Sequence, residues 1–169
     1  MAHDLFAQVM LPTGKILIIN GAASGYSGYG NVQNQVGQSN ADNPTYTPVI
    51  YDQSIPLNAS NPSARFSSTG LPTSNIPRLY HSVATLTGTG EVWIAGSSPH
   101  EDVSNVTYPT EYRAEIMSPD YVSVTRPVIT TIPSTWLYST LYSIKLQTAV
   151  SSSDTVKGMA TFETLAVHH

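Results

Sequence analysis

The chain has 169 residues, is 40% hydrophobic and only 11% charged, and carries a formal net charge of −4. This balance excludes a disordered polyelectrolyte, and seven basic residues without a cluster argue against nucleic acid or an anionic membrane as partner. Cysteine is absent, which rules out disulfides, thiolate metal sites and cysteine nucleophiles within the chain.

The length suits one domain. No apolar run approaches a membrane span, and Asp4 and Gln8 interrupt any signal-peptide pattern after Met1. Twelve prolines, eleven glycines and many β-branched runs predict an all-β chain. No window keeps a helical period with caps. In chain order, Leu5 to Met10 reads as a short strand, Pro12-Thr13-Gly14 as a hairpin turn, and Lys15 to Asn20 as the returning strand. A long polar loop from Gly21 to Thr47 follows, and loops of this length are usually functional. Its Tyr26, Tyr29 and Tyr46 suit either stacking on sugars or packing on the sheet below. Val49-Ile50-Tyr51 is a short strand, and Ser54 to Ser74 a second loop rich in Pro, Ser and Asn.

The pattern then repeats. Leu11-Pro-Thr-Gly14-Lys-Ile16-Leu-Ile18-Ile-Asn-Gly21 parallels Leu86-Thr-Gly-Thr-Gly90-Glu-Val92-Trp-Ile94-Ala-Gly96. Each unit runs strand, Gly turn, strand ending in Gly, loop and outer strand, with outer strands at Pro48 to Asp52 and Arg113 to Ser118. That is the order of a kelch-type β-propeller blade, whose period is about 50 residues. The first unit's two long loops account for its greater length. Beyond Val122 the texture changes. Arg126 to Pro133 is extended and bounded by proline, and Tyr142-Ser143-Ile144-Lys145-Leu146 alternates as a half-buried strand does.

The join between the second loop and the next strand carries the chemistry. In Ile76-Pro77-Arg78-Leu79-Tyr80-His81-Ser82-Val83, a tyrosine and a histidine stand side by side. Neighbouring side chains on a regular strand point to opposite faces. Only at a strand entrance, where Pro77 places them, do both reach one ligand. A phenol oxygen with an imidazole nitrogen suits a borderline divalent metal, Cu(II) above all. The alternative is an ordinary strand start. Elsewhere, His100, Glu101 and Asp102 form a loop cluster expected to be solvated, and Asp42 and Glu111 stand as loop carboxylates without the context of an acid/base pair. Asn58-Ala59-Ser60 and Asn105-Val106-Thr107 are glycosylation acceptors by pattern if the chain is secreted.

The run IPRLYHSVATL and the strand end Trp93-Ile94-Ala95-Gly96-Ser97 resemble the copper radical oxidases, the galactose oxidase and glyoxal oxidase family, and most of all its glyoxal oxidase branch. Leu17 to Ala22, Gly28-Tyr29-Gly30-Asn31, Ala41 to Pro44, Tyr108 to Arg113 and Ser118-Pro119 match the same branch in the same order. The resemblance runs from about Met10 to about Ile132. It implies that Tyr80 is an axial copper ligand and proton acceptor, and His81 an equatorial ligand. It implies an oxidase of small aldehydes or primary alcohols that reduces O2 to H2O2 outside the cell. It further implies that 1–120 is part of a kelch-type propeller, about two blades, and 121–169 the beginning of an immunoglobulin-like sandwich. The remaining blades would then lie elsewhere, for example in another chain.

The family's radical tyrosine is cross-linked to a cysteine, and this chain has none. The family's second histidine matches Leu165 here, with His168 and His169 close by. The resemblance therefore implies a chain inactive by itself. A non-catalytic kelch-type binding or structural module is the other reading.

Overall fold

The computed structural model describes residues 6–29, 39–100 and 107–147. Among these there is no α-helix, only strands and two 3-10 turns, so the chain is all-β as expected. Two compact units divide it, Met1–Val122 and Ser123–His169.

The first unit holds two antiparallel meanders. β1 (Ala7–Met10) and β2 (Ile16–Ile19) pair as a hairpin, and β5 (Val49–Tyr51) and β6 (Phe66–Ser67) extend that sheet in the order β1-β2-β5-β6. β7 (Ser82–Leu86), β8 (Val92–Gly96) and β9 (Glu115–Met117) form the second sheet. The two hairpins close with the same bonds. Leu11 N–H donates to Lys15 O and Gly14 N–H to Leu11 O. Thr87 N–H donates to Glu91 O and Gly90 N–H to Thr87 O. Gly14 and Gly90 take φ of 79° and 87°, the left-handed residue that such a three-residue turn requires. The turn thus sets Leu11 against Thr87, one position later than the sequence alignment has it.

Alternation decides what each sheet buries. Val9, Leu17 and Ile19 point one way from the first sheet, and Val92, Ile94 and Met117 one way from the second, and these residues share one core. Leu17 and Val92 are fully buried, worth roughly 1.5–3 kcal/mol each. Val83, Trp93 and Ile116 occupy the opposite, exposed face of the second sheet.

The stretch expected to be a long loop contains a ribbon instead. β3 (Ala22–Tyr29) and β4 (Ser39–Pro44) pair antiparallel, with a register shift between Gly25 and Tyr29. Side chains reinforce it: Asn43 Nδ2 donates to Ser24 Oγ at 2.9 Å, and Ser24 Oγ to the Asp42 carbonyl at 3.2 Å. Gly, Ser and Asn have low strand propensity, so composition hid the pairing.

In the second unit, β10 (Val128–Thr131) pairs with β11 (Lys145–Gln147). Tyr142 to Ile144 lie outside the strand that their alternation suggested; the Tyr142 hydroxyl accepts from the Leu137 N–H at 2.7 Å, and its ring packs against Trp136. Asn31, Glu101, Asp102, Asn105, Leu165, His168 and His169 lie outside the described residues.

Candidate functional site

The end of the second loop turns sharply into β7. Ser82 N–H donates to Leu79 O at 3.2 Å, which closes a turn with Tyr80 and His81 at its centre. His81 has φ of 62°. Non-glycine residues are uncommon there, although His is among those enriched. The left-handed residue interrupts the pleat, so the two side chains do not diverge. Their rings stack, with centroids 3.8 Å apart and planes 27° from parallel. Tyr80 is half-buried and His81 exposed.

Several contacts hold this turn from behind. Leu79 N–H donates to Ser97 Oγ at 2.9 Å, and Ser98 N–H to Tyr80 O at 2.8 Å. Gly96 has φ of 73°, and a Cβ there would lie 2.7 Å from the His81 carbonyl oxygen, so only glycine permits this approach. Arg78 is a further anchor, only 2% exposed. Its Nε and Nη2 both reach Glu115 Oε2 at 2.8 Å. Its Nη1 donates to Gly96 O at 2.8 Å and its Nη2 to Arg113 O at 3.0 Å. The other carboxylate oxygen, Glu115 Oε1, accepts from Ser74 Oγ at 2.7 Å. Backbone completes the frame, with Gly21 N–H donating to Arg78 O at 2.9 Å.

Arg78, Glu115, Gly96 and Ser97 are the residues that sequence reasoning missed as a supporting set. One signal was available: an arginine between Pro77 and Leu79, at an apolar strand entrance, demands a carboxylate partner once buried.

The other sequence candidates fall elsewhere. Asp42 lies on β4, and its Oδ1 accepts from the Tyr108 hydroxyl and from Asn43 N–H. Burial, then this bond, pushes the Tyr108 phenol up to about 12. Glu111 grips the exposed Arg113 at 2.8 and 2.5 Å, and that bond above all lowers its carboxyl to about 2. His100, expected in a solvated loop, is buried, and neither ring nitrogen has a hydrogen-bond partner among the described residues. Its own carbonyl accepts a long bond, 3.4 Å, from Ser98 Oγ. A cleft of about 120 Å³ opens between the two sheets, bordered by Asn20, Tyr46, Ser74, Ile76 and Glu115. Neither Tyr80 nor His81 lines it.

A family profile described as "Glyoxal oxidase N-terminus" matches residues 3–121. The chain belongs to the glyoxal oxidase family. It is 39% identical over 131 residues to "Aldehyde oxidase GLOX" of Vitis pseudoreticulata, covering 75% of this chain and 22% of that protein. It is 36% identical over 146 residues to "Aldehyde oxidase GLOX1" of Arabidopsis thaliana, covering 82% and 21%. A "WSC domain-containing protein" of Arthroderma benhamiae is 34% identical over 138 residues, covering 80% and 13%. The chain thus spans about a fifth of the length of its plant relatives.

For a glyoxal oxidase-family chain, the question is whether the residues present fit copper. The stacked pair offers one phenol oxygen and one imidazole, both suited to Cu(II). Among the described residues no three of His, Cys, Asp and Glu converge as a metal site. The pair therefore supplies two donors of a kind that copper accepts.

Proposed function

We propose that this chain is the part of a glyoxal oxidase-like copper radical oxidase that contributes Tyr80 and His81 to the metal. The parent protein oxidises a small aldehyde or primary alcohol and reduces O2 to H2O2 outside the cell. Copper, when bound, supplies the one-electron chemistry. Tyr80 would help hold the metal through its phenol oxygen, which would also accept the substrate's proton. His81 would help hold it through an imidazole lone pair. The observation that carries this reading is the stacking of the two rings on one turn, inside a stretch that matches the family. The two meanders with matching turns are read as successive kelch-type blades, with residues 1–120 in the propeller and 121–169 opening the immunoglobulin-like domain. The missing ligands come from outside this stretch, from further blades in the same or another chain.

By itself the chain is inactive. It has no cysteine to modify a radical tyrosine, and two ligands leave the coordination undefined. Purified and supplied with Cu(II), it is expected to release no peroxide from glyoxal, methylglyoxal or galactose in a peroxidase-coupled assay. In the parent polypeptide, Tyr80→Phe and His81→Ala are each expected to abolish turnover. Undiminished turnover in both variants would remove the pair from the active site. Turnover by the isolated chain, lost in both, would make it an oxidase in its own right.

A further inference from the structure

We propose that Asn58 is an N-glycosylation site, on the side of the first unit turned away from Tyr80 and His81. The acceptor pattern Asn58-Ala59-Ser60 has alanine, not proline, in the middle, as the reaction demands. The structure adds what the pattern lacks. All three residues are exposed. Ser60 N–H donates to Asn58 Oδ1 at 2.9 Å, an Asx turn. That bond occupies the amide oxygen, and Nδ2 has no hydrogen bond among the described residues. The reacting nitrogen thus belongs to an exposed residue and has no protein partner among the described residues, and Ser60 brings the required hydroxyl two positions on. Pro56 and Pro62 flank the segment and keep it out of the neighbouring strands.

The position follows from strand direction. β2 and β5 are antiparallel. The loop after β5 is tied beside the Gly14 turn, by Lys15 Nζ to Asp52 at 2.9 Å and by Gln53 Nε2 to Gly14 O at 3.3 Å. The Tyr80–His81 turn is tied to Gly21, at the other end of β2. A glycan on Asn58 therefore leaves the candidate site open. It also stands next to Leu57, which is 78% exposed, and in the loop that leads to the edge strand β6. Bulk placed there shields an open sheet edge from pairing with other chains.

In the modification, Asn58 Nδ2 forms a bond to C1 of the first sugar of a polyprenyl-pyrophosphate-linked oligosaccharide. The bond from C1 to the pyrophosphate oxygen breaks, the pyrophosphate leaves with the electron pair, and the amide gives up one proton. No oxidant or reductant is involved. The inference needs passage through a secretory compartment and is independent of the copper reading.

The test is expression of the whole chain behind a cleavable leader in yeast, with secreted and lysate-retained material mapped by peptide mass spectrometry before and after peptide N-glycosidase treatment. The expected result is glycan on the peptide containing position 58, lost in Asn58→Gln and in Ser60→Ala and kept in Ser60→Thr. The Asn105 acceptor is mapped separately and serves as the internal control for compartment entry. An unmodified position 58 in chains glycosylated at Asn105, or in leader-cleaved chains, would overturn the proposal. So would a modification at 58 that survives Ser60→Ala.

Discussion

Replacing Arg78 tests whether the turn that carries Tyr80 and His81 is held from behind. Arg78→Met keeps much of the side chain's volume and removes the guanidinium. Glu115 then keeps one bond, from Ser74, and loses its counter-charge, while the Gly96 and Arg113 carbonyls each lose a donor. Breaking a buried ion pair by removing one partner costs about 3–5 kcal/mol; Gly96 is half-buried and Arg113 exposed, so water can replace the donor that their carbonyls lose. Glu115 retains 28% side-chain exposure, so water reaches it and the lower end applies, about 3 kcal/mol. For a chain of this size that lowers Tm by about 6–12 °C. Arg78→Lys keeps the charge but cannot bridge three acceptors, and falls between wild type and Met. Urea unfolding at constant m-value measures the loss, and the His81 ring resonance reports whether the turn persists. Arg78→Met combined with Glu115→Gln should cost less than the sum of the two, because the orphaned charge is gone. A loss below about 1 kcal/mol for Arg78→Met, the level of an exposed pair, or strict additivity of the double variant, would refute the anchoring role.

Gly96→Ala places a Cβ 2.7 Å from the His81 carbonyl at a φ of 73°; it should cost about 1–3 kcal/mol and separate the stacked rings, read by thermal unfolding and by the His81 chemical shift. On the acid side, Glu111 is lowered from 4.5 to about 2, chiefly by its bond from Arg113, and Asp52 from 3.8 to about 2, chiefly by the Ser54 hydroxyl and then by Lys15. Lowered carboxyls stabilise the fold above their ordinary values and lose that contribution as pH falls through about 2. The urea midpoint should therefore hold above about pH 4.5, decline toward pH 2, and decline less in Glu111→Gln; an identical slope in that variant would contradict the assignment. On the alkaline side, Tyr108 is raised from 10 to about 12, so its contribution is complete below pH 10 and lost as pH rises through about 12. Tyr108→Phe should abolish that arm of the profile.

What the sequence by itself determined was local. The hairpins at Pro12 to Gly14 and Gly88 to Gly90 were legible because glycine in a left-handed turn and alternating aliphatic strands act within a few residues of each other. The strand entrance at Tyr80 and His81 was legible through Pro77, for the same reason. The tertiary structure decided the rest. Arg78 meets Glu115 across 37 positions, and Tyr108 meets Asp42 across 66. No periodicity encodes such pairs, because they form only when the two meanders and the β3–β4 ribbon come together. The ribbon itself was hidden because its Gly, Ser and Asn residues lack strand propensity; backbone bonds and the Ser24–Asn43 contact hold it instead. His100 followed the same logic: Ser98, Glu101 and Asp102 near it in sequence are polar, and only the folded chain buries its ring. The stacking of Tyr80 on His81 required both levels, a proline to start the strand and a distant glycine, Gly96, to let the His81 backbone turn left-handed against it.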